Sequence, residues 1–399
     1  MSVLVLTPQI PYPPQQGASL RNFHIIQGLA AAMPVSLLSF AEADQSADVA
    51  PLTQLLQQFE TVPVPVRSTI ERLGQLISSP IPDMGHRLNE PRFFTKLEQM
   101  LTDIRPDVVQ IEGIELIRAI STIQQVLPSA KIVFDNHNAE TALQERIFQT
   151  DIRQLRKFPK ALYSRIQVGR LREFERWGCQ QSDIVTAVSE RDADLLQPFR
   201  STDQLPVEPI PNCIDVETYR IAATGEKSID LVFTGKMDYR PNVDGILWFA
   251  AEIWPLIRQQ KPHVTFAIVG KNPSEPIKAL NNLDGIQVTG AVPEIEPWLS
   301  KARIMVMPLR MGSGTRLKLI QALAAGLPIV STTNGAEGYP VKAGKDVLIG
   351  DTPEQFAAEM CRLLDSPDLQ SELGSNGQQF AQAYDWRKVI SRFVELYNL

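Results

Sequence analysis

Residues 303–331 read Arg303-Ile304-Met305-Val306-Met307-Pro308-Leu309-Arg310-Met311-Gly312-Ser313-Gly314-Thr315-Arg316-Leu317-Lys318-Leu319-Ile320-Gln321-Ala322-Leu323-Ala324-Ala325-Gly326-Leu327-Pro328-Ile329-Val330-Ser331. A short apolar run precedes a Gly-Ser-Gly turn. A helical period follows, predicting a helix over 315–325. Gly326 and Pro328 stop it, and a second apolar run begins. Strand, glycine turn, helix, strand is a βαβ unit. Both runs are apolar on each face, as parallel strands covered by helices are.

The same rhythm extends outward. In the second half, strands are predicted at 230–234, 264–269, 285–289, 303–307, 328–331 and 347–349, with helices at 243–259, 295–300, 315–325, 353–364 and 369–383. In the first half, strands are predicted at 3–7, 34–40, 108–112, 131–135 and 184–188. Helices fit 19–32, 140–181 with a break near Pro159, and 189–196, where Ser189 and Asp192 form a cap. Residues 206–227 carry three prolines and no period, so the linker falls there. The last segment has a helical apolar stripe of Val389, Ile390, Phe393, Val394 and Tyr397. The expectation is an α/β protein of two Rossmann-like, doubly wound parallel-sheet domains: 1–210, a linker at 211–228, 229–383, and a terminal helix at 384–399. Two such domains in tandem are expected to face each other across a cleft.

Composition bounds the function. The chain has 399 residues, 44% hydrophobic and 21% charged, enough apolar material for two cores. A net charge of −6 argues against a nucleic-acid partner. Cys179, Cys213 and Cys361 are far apart, and the four histidines are scattered without HExxH spacing. Neither a disulfide framework nor a metal centre is expected. The start reads as a buried strand with no basic region before it, and no apolar stretch reaches the roughly 18 residues of a membrane span. The expected location is cytoplasmic.

Ligands of doubly wound sheets bind beyond the carboxyl ends of strands, so four loops stand out. The loop 8–18 is proline-rich and ends in Gly17, just before a helix whose N-terminus attracts anions. The stretch Asp135-Asn136-His137-Asn138 follows a buried strand. His137 can face a ligand there, while Asn138 can cap the helix that follows. The loop from Gly235 to Asn242 brings Lys236 and Arg240 to a helix start, a pattern suited to a diphosphate. The fourth loop holds Gly312, Ser313, Gly314 and Thr315, with Arg316 and Lys318 in the first helical turn. The helix dipole disfavours cations there, so their placement points to a bound anion. Each loop also has a plainer reading, as a rigid turn or a solvated surface.

Together these stretches resemble the retaining glycosyltransferases of family four, which have the GT-B fold. The resemblance rests on the loop ending in Gly17, Asp135 to Asn138, Val188-Ser189, the linker Pro211-Asn212-Cys213-Ile214-Asp215, Phe233-Thr234-Gly235-Lys236, and 312–338. It implies transfer of a sugar from a nucleotide-sugar to a glycan, lipid-linked or small-molecule acceptor, with retention of anomeric configuration. It implies no divalent metal and no cofactor. His137 would sit beside the transferred sugar. Lys236 with Arg316 or Lys318 would neutralise the diphosphate, the donor site being completed by Gly17, Arg240, Gly312, Ser313, Gly314, Thr315 and Gln321. The likeness further implies a C-terminal helix that returns to the first domain.

Two departures stand out. Many members carry two glutamates eight positions apart, where this chain has Ser313 and Gln321. Cys213 replaces a usual glycine in the linker. Gln321 is expected under the nucleotide ribose, where it offers one acceptor oxygen instead of a carboxylate. The loss of both glutamates keeps open a catalytically impaired, nucleotide-sugar-binding paralogue, and the architecture keeps open a nucleotide-sugar epimerase. Finally, 146–176 carries nine basic residues against three acids. Either this is a solvated helix face, or it approaches an anionic membrane surface or a phosphate-bearing acceptor, with Phe158, Leu162 and Tyr163 for shallow contact.

Overall fold

The computed structural model describes residues 1–14, 17–42, 49–151, 158–222, 226–312 and 314–399. The chain divides into two compact units, Met1–Asn212 with Val389–Leu399, and Cys213–Lys388. Each is built on one parallel sheet with helical crossovers.

The first unit holds β1 (Val3–Thr7), β2 (Val35–Ala41), β3 (Gln58–Pro63), β4 (Val108–Glu112), β5 (Lys131–Asn136), β6 (Ile184–Ala187) and β7 (Glu208–Pro209). Their order is β3-β2-β1-β4-β5-β6-β7. Val3 sits opposite Val35 on one side and Val108 on the other. Every residue of β1 and β4 is buried, as the unbroken apolar pattern requires. Sequence reasoning missed β3 and β7, which lie at the two edges. β3 mixes Gln58, Glu60 and Thr61 with Phe59 and Val62, and β7 is a two-residue strand ending in Pro209. It also missed the helices Thr69–Ser78, Asp83–Arg87, Pro91–Ile104 and Ala119–Val126. Pro91–Ile104 is amphipathic and buries Phe93, Leu97, Met100 and Leu101, with Phe93 stacked on Phe40 at 4.6 Å.

The helix expected over 140–181 is two helices, Glu140–Asp151 and Phe158–Gln181, and part of the basic segment lies outside the described residues. The first amides of Glu140–Asp151 are not capped by Asn138. Glu140 N and Thr141 N both donate to the Glu175 carboxylate, at 2.9 and 3.1 Å. Asn138 instead gives its side-chain amide to Glu140 Oε1. The terminal helix, Trp386–Tyr397, buries Val389, Ile390, Phe393 and Tyr397. A Cβ on Gly28 would lie 2.5 Å from Ile390, so only glycine permits this approach. Tyr397 Oη donates to the Gln110 side chain.

The second unit holds β8 (Ile229–Thr234), β9 (Phe266–Val269), β10 (Ile286–Gly290), β11 (Ala302–Met307), β12 (Ile329–Ser331) and β13 (Leu348–Ile349), in the order β10-β9-β8-β11-β12-β13. Phe249 packs against Phe266 at 4.9 Å and Phe356 at 5.9 Å in its core. The expected linker 211–228 is not structureless. It includes the helix Val216–Ala222, and Ile214 bridges to Asp385. The helix after the glycine turn is Leu317–Ala324, two residues later than expected, so Arg316 is its N-cap and Lys318 its second residue. Both sheets reverse their winding at one point, between β1 and β4 and between β8 and β11.

Candidate functional site

In the first unit the carboxyl ends of β4 and β5 place Glu112 and Asp135 on neighbouring strands, directly opposite in register. Both are fully buried. Arg21 reaches Asp135 with two bonds, Nε to Oδ2 and Nη2 to Oδ1, each 2.8 Å. Thr186 Oγ1 also donates to Asp135, at 2.5 Å. The remaining guanidinium nitrogen donates to Pro211 O and Asn212 Oδ1, at 3.0 and 3.3 Å. Burial alone would raise the Asp135 carboxyl, but the Arg21 charge and hydrogen bonds reverse this and hold it at about 2.

His137 follows β5, and its Nε2 lies 2.8 Å from Glu112 Oε2. The side chain is 18% exposed. Gln110 donates to Glu112 Oε1 at 2.5 Å, so one carboxylate is held from both sides. Burial, and then the charge of Asp135, push Glu112 up to about 7, which the His137 bond only partly offsets. For His137, burial opposes the charged ring, but the Glu112 hydrogen bond and charge outweigh it and raise its pKa. The carboxylate thus keeps a proton on Nε2, and Nδ1 is the ring atom not used by Glu112.

Glu112, Asp135 and His137 bring one ligand-type atom each within 4.8 Å of one another. Their oxygens already bond Arg21, Thr186, Gln110 and the imidazole. The set forms a buried hydrogen-bonded ion network. One further buried acid, Glu175, also accepts from Asn136 Nδ2, at 3.0 Å.

In the second unit the glycine turn lies beyond β11. Gly312 and Gly314 have φ of 107° and 83°, conformations that favour glycine, while Ser313 lies outside the described residues. Arg316 is buried at the helix start and Thr315 is half-buried. Lys318 Nζ donates to Asn242 Oδ1 at 2.9 Å and lies 4.1 Å from the Phe233 ring centroid. Among the described residues no carboxylate pairs with it. Burial, and the neighbouring charge of Arg316, push its pKa down to about 7. A Cβ on Gly235 would stand 2.6 Å from Lys318 Nζ, so the bare backbone after β8 makes room for this ammonium.

The other expected donor residues are arranged differently. Lys236 is 44% exposed and 4.0 Å from Asp238, so its ammonium faces solvent while its carbonyl accepts from Asn242 Nδ2. Arg240 is exposed at the first turn of the helix Arg240–Trp248. Gly17 is exposed at the start of the helix Gly17–Ala30, in the first unit. Gln321 is half-buried, and its amide donates to Tyr219 Oη at 2.8 Å. Arg21, Gln110 and Glu112 were not singled out by sequence, and Phe233 and Asn242 lay in the expected loops without an assigned role. The one usable signal was position: Glu112 ends an apolar strand, as Asp135 does.

Two family models match the chain: Glycosyltransferase Family 4 over residues 16–218, and Glycosyl transferases group 1 over residues 228–366. The D-inositol 3-phosphate glycosyltransferase of Thermobispora bispora is 30% identical over 108 residues, 27% of this chain and 25% of that protein. The chain spans between 22% and 56% of the length of the curated relatives it matches. Two solved structures share the fold along nearly the whole chain. Anabaena HepE in complex with UDP and glucose has a TM-score of 0.67 at 14% identity, covering 99% of each chain. Sucrose-phosphate synthase from Thermosynechococcus elongatus has a TM-score of 0.72 at 16% identity, covering 100% of this chain and 98% of that one. With the two doubly wound parallel sheets, these neighbours identify the fold as GT-B.

Proposed function

This chain belongs to glycosyltransferase family 4, and we propose that it moves a sugar from a nucleotide-sugar to an acceptor hydroxyl, with retention of anomeric configuration and without a divalent metal. The observation that carries the reading is Lys318, an amine held beside Gly235 and Asn242 with no carboxylate paired to it among the described residues. Such a group is stabilised by an anion. The switch point of a doubly wound sheet is where a nucleotide's phosphates bind. UDP and UDP-glucose bound to HepE, a protein of the same fold, support a nucleotide-sugar donor.

In this reading the diphosphate lies against Lys318, Arg316 and the turn of Gly312, Ser313 and Gly314, with Thr315 beside it. Breaking the bond between the anomeric carbon and the phosphate oxygen leaves negative charge on the diphosphate, and fixed cations stabilise it as it develops. They supply the charge that a metal would otherwise supply. His137, held by Glu112, serves the transferred sugar, and its Nδ1 is the group that can meet a hydroxyl. The acceptor belongs to the glycan, lipid-linked or small-molecule class, and the reaction is cytoplasmic.

The test is incubation of the full chain with UDP-, GDP- and ADP-sugars, with and without EDTA, following nucleotide release and product anomers by NMR. The expected result is release with one class of donor, unchanged by EDTA, and an α product from an α donor. Tight donor binding with no release would replace the transferase by a binding paralogue. An inverted product would remove retention.

A further inference from the structure

His137 stands between two stretches of backbone, and one acid from a later helix ties both. Asn136, which ends β5, is buried and donates Nδ2 to Glu175 Oε1 at 3.0 Å. Asn136 Oδ1 is buried without a hydrogen-bond partner, so among the described residues this is the only bond its side chain makes. On the other side of His137, Glu140 N donates to the same Glu175 oxygen at 2.9 Å, and Thr141 N donates to Oε2 at 3.1 Å. Glu175 is itself fully buried, on the helix Phe158–Gln181.

These bonds do more than satisfy a helix start. A cap from Asn138 would have met those amides within the loop and left the loop free to shift as a body. Glu175 comes from 35 positions away and holds the end of the strand as well as the start of the helix. A second acid joins it: Ala139 N donates to Asp192 Oδ1 at 3.3 Å, from the helix Glu190–Leu196. The backbone before and after His137 is thus fixed to two other helices, while the ring meets Glu112 on β4 at 2.8 Å. A carboxylate suits the place, because three N–H groups converge there and it has only acceptors to offer. A glutamine would turn an NH₂ toward one of those donors.

We propose that Glu175 is a positioning residue for His137. By clamping Asn136 and the amides of Glu140 and Thr141, it sets the ring where it keeps its bond to Glu112 and presents Nδ1 to a ligand. The proposal rests on the reading of His137 as the group that serves the transferred sugar.

The test uses the full chain with Glu175→Gln and, separately, Asn136→Ala. The second variant cuts the tie on the strand side, changes no charge and leaves the helix start capped. It therefore reports on position even where Glu175→Gln does not fold, which near-UV circular dichroism and melting will establish. The readouts are the His137 titration, by NMR of the ring C–H, and nucleotide release alongside the donor dissociation constant. In both variants the titration should move down toward the ordinary value, because the ring no longer keeps to Glu112. Turnover should fall on the order of 10²-fold, the scale for a misplacement of about 1 Å, with donor affinity changed by less than about twofold. Adding Glu175→Gln to Glu112→Gln should then cost less than about threefold, since both act through one ring.

A cap that only stabilises its helix would lower the melting temperature and leave the titration and turnover of the folded protein as in wild type, which overturns the proposal. Losses that multiply in the double variant overturn it as well. Should the wild-type chain release nucleotide from no donor, the transferase reading fails, and the titration alone still decides whether Glu175 sets His137.

Discussion

His137 Nε2 stands 2.8 Å from Glu112 Oε2, a contact between the end of one strand and the residue following its neighbour. The carboxylate holds a proton on Nε2 and favours the charged ring. Glu112→Gln removes that charge while keeping the shape. The His137 titration, followed by NMR of the ring C–H, should move down. Turnover should fall roughly 10²-fold, the scale for losing one polar contact to the developing charge. Donor dissociation constants should move little, and His137→Ala should show the same split. Equal losses in binding and turnover would mean the pair only holds the fold.

Arg21 and Asp135 form a buried bidentate pair, and removing one partner leaves an uncompensated charge. Arg21→Ala should cost about 3–5 kcal/mol in urea unfolding. The pH dependence has two opposed parts. Asp135 lies at about 2, below its ordinary 3.8, so its contribution is present above pH 3.8 and lost as pH falls through about 2. Glu112 lies at about 7, above its ordinary 4.5, so its contribution is present below pH 4.5 and lost as pH rises through about 7. Glu112→Gln should flatten the loss on the alkaline side alone.

Lys318 lies at about 7, against an ordinary 10.5. Its contribution to stability is present above pH 10.5 and lost as pH falls through about 7, because charging it in the fold is costly. A diphosphate reverses that cost. Nucleotide binding at pH 8–9 should therefore take up about one proton, seen by calorimetry in buffers of different ionisation enthalpy, and affinity should fall as pH rises above 7. Lys318→Met should abolish the uptake, weaken nucleotide binding and melt higher at pH 6. Proton-neutral binding in the wild type would sever Lys318 from the donor.

Gln321 gives its amide to Tyr219 Oη, leaving its oxygen as the group available to a ligand. We expect that oxygen to serve the ribose. Gln321→Ala should narrow the difference in affinity between a nucleotide-sugar and its 2′-deoxy form, and Gln321→Glu should widen it by roughly 1 kcal/mol. An unchanged ratio in Gln321→Ala would show that the residue does not touch the ribose.

Gly28 faces Ile390 with no room for a Cβ. Gly28→Ala should cost about 1–3 kcal/mol by overpacking. Ile390→Ala should recover part of that loss in the double variant, measured as a coupling energy in urea. Additive losses would mean the terminal helix does not pack there.

The parallel strands were legible because burial on both faces leaves an unbroken apolar run. Val3–Thr7, Val108–Glu112 and Ala302–Met307 could be read within a residue. The edge strands Gln58–Pro63 and Glu208–Pro209 were not, because an edge imposes no such pattern. Helix Thr69–Ser78 has its apolar period, but the period alone does not say whether the face is inside or out.

The sequence by itself determined the alternation of strands and helices, the glycine turn and the position of His137, since each depends on local periodicity or on residues adjacent in the chain. Tertiary structure alone decided what surrounds them. Arg21 meets Asp135 across 114 positions, Asn242 meets Lys318 across 76, and Glu175 caps a helix beginning 35 positions earlier. It also left Lys236 facing solvent while Lys318 lies beside Gly235. Charge burial depends on which strand ends become neighbours, and that is set by strand order, a non-local property no spacing in the chain encodes.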